Sequence, residues 1–314
     1  MKKFLTLLLT LALALSLALA VPALAEEEED YTTGDASLDD PRNADGIGES
    51  ELLVVSFGTS FNDSRRLTIG AIEGDIAQAM PDYGVRRAFT SQIIIDHVAR
   101  RDGVVLDNVG QALERAVQNG VKRLVVQPTH LMDGFEYNDL VGEIAGYADA
   151  FDAIAVGAPL LSSDEDFAAV ADAIVKATAE YDDGETAICF MGHGTEAESN
   201  GVYAKMQQVL DGKGCKNYFV GTVEATPSLE DVLAAVGQGA YKRVVLRPLM
   251  VVAGDHANND MADPEDEESW ISQFTADGSF ESIVCQIAGL GRIADVQAIY
   301  IDHTADAIAN AQPF

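Results

Sequence analysis

GVKRLVVQPTHLMDGFEYND, residues 120–139, recurs 120 positions later as AYKRVVLRPLMVVAGDHANND, residues 240–260. The two segments share a Lys-Arg pair, an apolar run that ends in proline, and a loop with a glycine four residues before an asparagine. A second pair, VVSFGTS at 54–60 and CFMGHGTE at 189–196, shares a Gly-Thr step. The sequence therefore predicts two copies of one structural unit, in residues 49–170 and 171–314.

Apolar runs alternate with Ala-rich segments of helical period along both copies. Strands are predicted at 51–57, 121–128, 153–159, 186–192, 241–248 and 282–289, and helices at 64–80, 108–119, 164–181, 201–210, 228–237 and 292–310. Strands that are apolar throughout and separated by helices are typical of parallel sheets covered on both faces. The pattern thus indicates an α/β fold of two similar Rossmann-like domains, with the last helix packing back on the first domain.

The first 25 residues combine two lysines, a long Leu/Ala run and an Ala-Leu-Ala ending. These features are typical of a secretory signal peptide; a retained membrane anchor is the alternative, which the acidic EEEED that follows disfavours. We therefore expect an exported protein, periplasmic or otherwise extracytoplasmic, with no stable membrane insertion after cleavage. Residues 26–48 are acidic with almost no large apolar side chains and are predicted to be a flexible leader.

Charge and cysteine content narrow the classes of partner and fold. The formal net charge of −31 repels nucleic acid and anionic membranes, so neither is expected as a partner. The three cysteines, Cys189, Cys215 and Cys285, are odd in number and resemble neither a disulfide scaffold nor a zinc knuckle. A homo-oligomer is left open by the sequence.

The two copies differ where their strands end. Phe57 in the first copy corresponds to His193 in the second, and Glu136 corresponds to His256. Glu224 follows another apolar run, in YFVGTVEATP at 218–227. Because ligands of open parallel sheets bind at the carboxyl ends of the strands, these side chains form a candidate site. Two imidazoles and one carboxylate suit a divalent transition ion; the alternative is that each is an ordinary hydrogen-bonded loop residue.

Five blocks of the sequence resemble one known family. They are LLVVSFGTSFNDSR (52–65), VVQPTHLMDGFEYN (125–138), FMGHGTE (190–196), GTVEATPSLEDV (221–232) and RPLMVVAGDHANNDMA (247–262). From about residue 50 to the C-terminus the chain resembles the anaerobic cobalt chelatases, the sirohydrochlorin cobaltochelatases of the class II chelatase superfamily. The resemblance implies two chelatase-like α/β domains that enclose an active-site cleft for a tetrapyrrole. It also implies a catalytic and metal-holding set at His193, Glu224 and His256.

The resemblance implies an enzyme that inserts Co²⁺ into sirohydrochlorin or a related tetrapyrrole, with Fe²⁺ or Ni²⁺ as alternative ions. Insertion releases two pyrrole protons, and a neutral histidine can ligate an ion or accept a proton near neutral pH. His193 is therefore predicted to be a metal ligand and the proton acceptor, with Glu224 and His256 completing the coordination of the bound ion. Which histidine takes the proton stays open at this point.

Positions of the first copy are candidate substrate contacts. Glu136 matches an acidic position of the family's first half and is expected to relay metal or protons, or else to be a surface carboxylate. Ser56, Thr59 and Ser60 are expected to bind the carboxylates of the substrate, although a strand-to-helix capping turn explains them almost as well.

The remaining histidines lie outside the candidate metal site. His97, in SQIIIDHVARRDG at 91–103, is predicted to be a surface residue of a helix, with an axial haem ligand or a metal ligand at a subunit interface as the tentative alternative. His130 is a candidate for the wall of the cleft, and His303 is expected to be structural or exposed.

Export is the feature that the family does not explain, because cobalt insertion on the way to a cobamide is an intracellular step. The leading hypothesis is an exported sirohydrochlorin cobaltochelatase. The alternative is an extracytoplasmic binding or carrier protein for metal, haem or another tetrapyrrole on the same scaffold. Retention of both histidines and the glutamate favours the enzyme, since carriage would not need all three.

Overall fold

The computed structural model describes residues 33–311. The predicted signal peptide, 1–25, and the first part of the predicted leader, 26–32, lie outside the described residues. The strands are β1 (Ser50–Ser56), β2 (Gly84–Phe89), β3 (Asp107–Asn108), β4 (Arg123–Pro128), β5 (Ala153–Val156), β6 (Thr186–Gly192), β7 (Tyr218–Thr222), β8 (Arg243–Pro248) and β9 (Ser282–Cys285). The helices are α1 (Asn62–Leu67), α2 (Ile69–Ala79), α3 (Gln92–Asp102), α4 (Val109–Gln118), α5 (Phe135–Ala145), α6 (Asp164–Ala177), α7 (Gly201–Gly212), α8 (Leu229–Val236), α9 (Asp255–Asn258), α10 (Trp270–Asp277) and α11 (Ala294–Asn310).

The described strands form two parallel sheets flanked by helices, which confirms the predicted fold class. The first sheet has the order β3-β2-β1-β4-β5 and the second the order β7-β6-β8-β9. In each sheet the first strand in sequence is flanked by the next long strand on one side and the repeat strand, β4 or β8, on the other. The two sheets are therefore built on one topology, with β1 equivalent to β6, β2 to β7 and β4 to β8.

The sequence repeat is also a repeat of hydrogen bonds. At the start of β4 the Lys122 N–H donates to the Glu49 carbonyl at 2.8 Å, and at the start of β8 the Lys242 N–H donates to the Glu185 carbonyl at 2.8 Å. The same two lysine ammonium groups bind the carboxylates of these glutamates at 2.6 and 2.7 Å. The shared Lys-Arg pair thus marks the same structural position in both copies.

One apolar cluster joins the two sheets. It includes Leu52 and Val54 of β1, Ile188 and Phe190 of β6, and Tyr300 of α11. The last helix, α11, packs against α2, β4 and α6. The predicted domain boundary at 170/171 falls inside α6, whose buried face belongs to this shared cluster, and both sheets lie in one compact unit. The division into two domains therefore remains a prediction.

Several predicted elements differ from the structure. The helix predicted at 64–80 is two helices, because the backbone of Thr68 departs from helical geometry between α1 and α2. Strand β2, GVRRAF, was not predicted because its two adjacent arginines hide the apolar pattern. Both arginine side chains are at most 1 % exposed and lie against buried carboxyl groups, so charge is carried inside this sheet. Helix α5 follows Gly134 in a segment that was expected to be a loop.

Residues 33–48 of the predicted flexible leader lie against the first sheet, and the flexibility of the leader stays a prediction. The carboxylate of Asp39 is only 4 % exposed and accepts hydrogen bonds from Arg65 at 2.7 Å and Arg87 at 2.6 Å. Acidic composition alone suggested mobility, whereas the buried arginines supply the opposite charge that binds Asp39. Within 33–311, no helix is both long enough and apolar enough to cross a membrane.

Candidate functional site

A cavity of about 490 Å³ opens at the carboxyl ends of the strands of both sheets. Its walls come from the segments that follow β1, β2, β4, β6, β7 and β8. All the residues predicted as catalytic, metal-binding or substrate-binding line it, namely His193, Glu224, His256, Ser56, Thr59, Ser60 and Glu136. His97 is not part of this lining.

His193 directly follows β6, and its ring is oriented by the main chain. Its Nδ1 atom lies 2.7 Å from the carbonyl oxygen of Gly194. Because a carbonyl can only accept, Nδ1 carries the hydrogen and the lone pair of Nε2 remains available to an ion. Gly194 has a φ of +91°, and a Cβ there would lie 2.8 Å from the backbone nitrogen of Ala225. Only glycine allows this close approach of the two loops.

Glu224 is held beside His193 by an extension of strand pairing. The N–H of Val223 donates to the Gly192 carbonyl at 3.0 Å, and the N–H of Glu224 donates to the His193 carbonyl at 2.9 Å. These bonds continue the β6–β7 ladder past the last paired strand residues. The Glu224 carboxylate consequently lies 3.9 Å from Nε2 of His193.

His256 is the second residue of α9, one turn before a carboxylate. Its Nδ1 atom lies 2.8 Å from Oδ2 of Asp260. This hydrogen bond raises the pKa of His256 against the opposing effect of burial, and the same bond lowers the pKa of Asp260. Asp260 was not predicted as a site residue, although its spacing of four from His256 on a helical turn is the signal that could have found it.

His193, Glu224 and His256 offer one ligand atom each, all within 4.8 Å of one another. The two imidazole rings lie 4.5 Å apart at an interplanar angle of 79°. Nitrogen and oxygen ligands sit about 2.0–2.2 Å from a divalent ion such as zinc, so a small side-chain movement would bring all three onto one ion. Among residues 33–311, this is the one group of three or more His, Cys, Asp or Glu side chains whose ligand atoms lie close enough together to hold an ion. The side chains are 33–55 % exposed and line the cavity, so an ion can reach them from it.

Two of the predicted substrate-binding hydroxyls are engaged by neighbours. The Thr129 hydroxyl donates to Oγ of Ser56 at 2.7 Å, and Oγ1 of Thr59 accepts the Phe61 N–H at 3.2 Å. Ser56 and Thr59 are 2 and 3 % exposed. The Thr59 contact is a local turn of the kind that the sequence left open as the alternative, and binding of substrate by these hydroxyls stays a prediction.

Glu136 occupies the first-copy position that His256 occupies in the second. Each is the second residue of a helix that begins after a glycine, Gly134 or Gly254. In both loops the asparagine four residues later donates its side-chain N–H to the glycine carbonyl, at 2.9 and 2.7 Å. Glu136 lines the cavity from the first copy, as His256 lines it from the second.

His130, on the first-copy wall, has both ring nitrogens shielded from solvent and without a hydrogen-bond partner in the described part of the chain. Burial lowers the pKa of its imidazole to about 4, so the ring is neutral at neutral pH. The placement of His130 on the cavity agrees with its predicted location.

The other two histidines lie elsewhere. His97 is partly buried on α3, with Nε2 3.4 Å from Nη1 of Arg101, and its tentative role as a haem or interface metal ligand stays a prediction. His303 on α11 contacts the Asp166 carboxylate at 3.1 Å and the Ala158 carbonyl at 3.2 Å, and so ties α11 to α6.

The cavity has an apolar wall that sequence reasoning did not assign. Phe57 and Phe135, which are 48 and 62 % exposed overall, line it with Ile94, Met250 and Val252. Exposed aromatic faces can stack on a flat conjugated ligand. The charged side chains of the lining are acidic, Glu136, Glu196, Glu224 and Asp255, and this lining contains neither lysine nor arginine. Such a cavity favours a cation together with the flat face of a conjugated ring.

Comparisons with known proteins agree with this geometry. A family model described as "Cobalt chelatase (CbiK)" matches residues 50–309. The chain is 34% identical over 257 residues to a sirohydrochlorin cobaltochelatase of Salmonella typhimurium, covering 82% of this chain and 96% of that protein. It is 30% identical over 260 residues to the sirohydrochlorin cobaltochelatase CbiKC of Nitratidesulfovibrio vulgaris, covering 82% of this chain and 90% of the relative.

The fold is also found in a solved structure. SirB from Bacillus subtilis, solved with Fe³⁺, superposes with a TM-score of 0.60 at 13% identity over 84% of this chain and 97% of that one. At this identity the similarity concerns the fold alone. Because the family model spans more than half of the sequence and both relatives are at least 30% identical over most of their length, the chain belongs to the cobalt chelatase family.

Proposed function

We propose that this chain is a sirohydrochlorin cobaltochelatase that inserts Co²⁺ into the tetrapyrrole within the cavity between the two sheets. The observation that carries the proposal is the placement of His193, Glu224 and His256, whose ligand atoms lie within 4.8 Å of one another on the cavity wall. The names of the curated relatives support the choice of ion and ring. The exposed Phe57 and Phe135 offer a surface on which the ring can stack.

The reaction exchanges ligands on the ion and releases protons. Co²⁺ enters with the two imidazoles and the carboxylate in place of part of its water shell, and the four ring nitrogens then replace these ligands. The neutral ring gives up its two pyrrole protons, so the products are the Co²⁺ complex and two protons. A mixed nitrogen and oxygen set binds the ion well enough to dehydrate it, while individual ligands can still be replaced by the ring.

The pyrrole protons need an acceptor that becomes available once the ion has left its protein ligands. In each histidine Nδ1 is engaged, by the Gly194 carbonyl in His193 and by Asp260 in His256, so one lone pair per ring serves the ion first. When the ion passes to the ring, the Nε2 lone pair is released and can take a pyrrole proton. We assign the first proton to His256 and not to His193, the acceptor predicted from the sequence, because the Asp260 carboxylate stabilises an imidazolium better than the carbonyl that holds His193.

The identity of the metal is part of the same proposal. Imidazole and carboxylate ligands accept Co²⁺, Ni²⁺ and Fe²⁺, with affinities that rise from Fe²⁺ to Ni²⁺. We propose that Co²⁺ is the preferred substrate and that discrimination arises during transfer to the ring. Insertion rates measured with the three ions under identical conditions test this, and a higher rate with Fe²⁺ or Ni²⁺ than with Co²⁺ would contradict it.

We further propose that the protein acts outside the cytoplasm. The lysines, apolar run and Ala-Leu-Ala ending of residues 1–25 support this location. Fractionation of cells that produce the full chain should recover the protein outside the cytoplasm with an N-terminus near residue 26. Recovery of the uncleaved chain in the cytoplasm would contradict the proposal.

The experiment that separates enzyme from carrier is a turnover assay. Purified protein is incubated with sirohydrochlorin and excess Co²⁺, and the visible spectrum is followed beside His193→Ala, His256→Ala and the control His97→Ala. The chelatase predicts product in excess of enzyme, lost in the first two variants and kept in the control. A spectral change that stops at one equivalent per chain would instead support a tetrapyrrole or metal carrier.

A further inference from the structure

Four fully or almost fully buried charges lie beneath the first-copy loop of the cavity. Asp39 accepts hydrogen bonds from Nε of Arg65 at 2.7 Å and from Nη1 of Arg87 at 2.6 Å. Arg87 also donates to both carboxylate oxygens of Glu73, at 2.8 and 2.7 Å. The Arg65, Arg87 and Glu73 side chains are 0 % exposed and that of Asp39 is 4 % exposed. The cluster therefore holds two positive and two negative groups away from water.

Asp39 is the member of this cluster that comes from outside the family-matched region, which begins at residue 50. Without it, the buried set would contain two guanidinium groups and a single carboxylate. Burial acts to raise the pKa of the Asp39 carboxyl, but Arg87 and Arg65 hold it below its usual range, so the group is ionised. Gly70 of α2 leaves room for it, since a Cβ there would lie 3.2 Å from Oδ1 of Asp39. Asp39 therefore packs closely against α2 and pairs with buried arginines, which makes this a specific contact between the leader and the first copy.

The cluster is connected to the cavity through Arg65. Its Nη1 donates to the Thr59 carbonyl at 3.2 Å and its Nη2 donates to the Asn62 side chain at 2.6 Å. Residues 58–61 line the cavity. Thus one guanidinium links the leader carboxylate to the backbone of the loop that faces the substrate.

The leader also bonds to the end of this loop directly. The Asn62 N–H donates to Oγ1 of Thr33 at 2.9 Å, and the Asp63 N–H donates to the Thr33 carbonyl at 2.8 Å. The Thr33 hydroxyl in turn donates to the Ser60 carbonyl at 3.3 Å. Two consecutive amides at the start of α1 therefore take their partners from a segment that precedes the first sheet.

We propose that residues 33–48 are a positioning segment for the substrate loop 58–62, acting through Asp39 on Arg65 and through Thr33 on Asn62 and Asp63. The segment holds the loop in place before the ring binds, so the free energy of binding is not reduced by the entropic cost of ordering the loop. The part of this inference that concerns ring binding rests on the proposed function. The part that concerns loop order does not.

The test compares Asp39→Asn with Asp40→Asn in the full chain. Asp40 is adjacent, carries the same charge and is 71 % exposed, so its variant controls for charge and for position in the segment. Hydrogen exchange is followed at the amides of Asn62 and Asp63, with the second-copy loop 193–196 as the internal reference. Binding of metal-free sirohydrochlorin is measured by titration below the temperature at which either variant begins to unfold.

In Asp39→Asn we expect exchange at Asn62 and Asp63 to accelerate about tenfold and the reference loop to be unchanged. We expect the Kd for sirohydrochlorin and the KM to rise about tenfold, with kcat within about twofold of the wild type. Asp40→Asn should match the wild type in all of these. Thr33→Val, which keeps the buried charges intact, should accelerate exchange at Asn62 alone, and this milder variant keeps the test valid if Asp39→Asn does not fold.

Unchanged exchange at Asn62 and Asp63 in Asp39→Asn, together with unchanged exchange in Thr33→Val, would overturn the inference even if Asp39→Asn melts at a lower temperature. A fall in kcat at constant KM would also overturn it, since that result places the effect in the chemical step. Failure of the wild type to bind sirohydrochlorin would refute the proposed function while the exchange measurement still tests the segment.

Discussion

The two copies of the repeat place different side chains on the same backbone positions. The N–H of Ser91 donates to the Phe57 carbonyl at 3.2 Å, as the N–H of Glu224 donates to the His193 carbonyl at 2.9 Å. Three pairs of positions therefore correspond, Phe57 with His193, Ser91 with Glu224, and Glu136 with His256. The fold supplies three corresponding positions in each copy, and side-chain identity gives the second copy a candidate ion site that the first copy lacks.

This difference supports separate proposed roles for the two copies, ion binding for the second and ring binding for the first. The second copy offers two imidazoles and a carboxylate, which suit an ion, while the first offers the cavity the exposed ring of Phe57 and the carboxylate of Glu136. A chelatase needs both, because ion and ring must meet face to face. Substitutions at matched positions of the two copies should consequently affect different steps.

The largest effect is expected for His193→Ala. Loss of a metal ligand that also orients the ion should lower kcat for Co²⁺ insertion by at least about a hundredfold, the range typical of positioned catalytic groups. Steady-state rates from the visible spectrum provide the measurement. The first-copy variant Glu136→Gln should lose less activity. An equal loss of kcat in Glu136→Gln and His193→Ala would contradict different roles for the two copies.

The next effect concerns stability and distinguishes β1 from β6. Glu51 of β1 is fully buried where the equivalent β6 position is Ala187, and burial raises the pKa of Glu51 to about 7 in spite of Arg86 at 3.5 Å. The folded state holds this proton more tightly than the unfolded state. The protonated carboxyl therefore contributes to the free energy of unfolding in full below about pH 4.5, and this contribution is lost as pH rises through about 7.

Glu51→Gln should remove that dependence. Between about pH 5 and pH 8, the free energy of unfolding of the wild type should fall relative to the variant by about 2–3 kcal/mol. Urea titrations at several pH values measure this difference. A constant difference across the range would show that Glu51 does not titrate there.

A smaller effect is expected for Phe57→Ala, the match of His193. Removing an exposed aromatic face from the cavity should raise the KM for sirohydrochlorin roughly tenfold while Co²⁺ affinity stays the same, since ring stacking contributes about 1 kcal/mol beyond area. Ring and ion titrations on the same preparation separate the two. Weakened Co²⁺ binding in this variant would place Phe57 in the metal site instead.

The smallest effect is expected at His130, whose position in the second copy is Met250. Neither ring nitrogen of His130 has a hydrogen-bond partner among residues 33–311, which costs stability, so His130→Met should raise the free energy of unfolding at neutral pH by about 1 kcal/mol. Chemical denaturation at neutral pH measures the change. Destabilisation would mean that the ring makes a favourable contact in the native protein.

The sequence predicted the fold class and brought His193, Glu224 and His256 to one edge because strand ends and an internal repeat are local signals. It did not predict β2, where Arg86 and Arg87 are buried against carboxylates that are distant in sequence. Nor did it predict that residues 33–48 lie against the first sheet. Acidic composition does not reveal that Asp39 pairs with the buried Arg65 and Arg87. Pairings between distant charges are set by the fold and are absent from local patterns.

The most direct test of the account is a Co²⁺ titration of the wild type, His193→Ala and Phe57→Ala, made in excess Mg²⁺ to occupy the many surface carboxylates. The account predicts one tight site per chain in the wild type and in Phe57→Ala, weakened by at least about tenfold in His193→Ala, since each outer or inner ligand of a metal site typically contributes a factor of ten or more. Full affinity in His193→Ala, or an equal loss in Phe57→Ala, would contradict the claim that the second copy holds the ion and the first the ring.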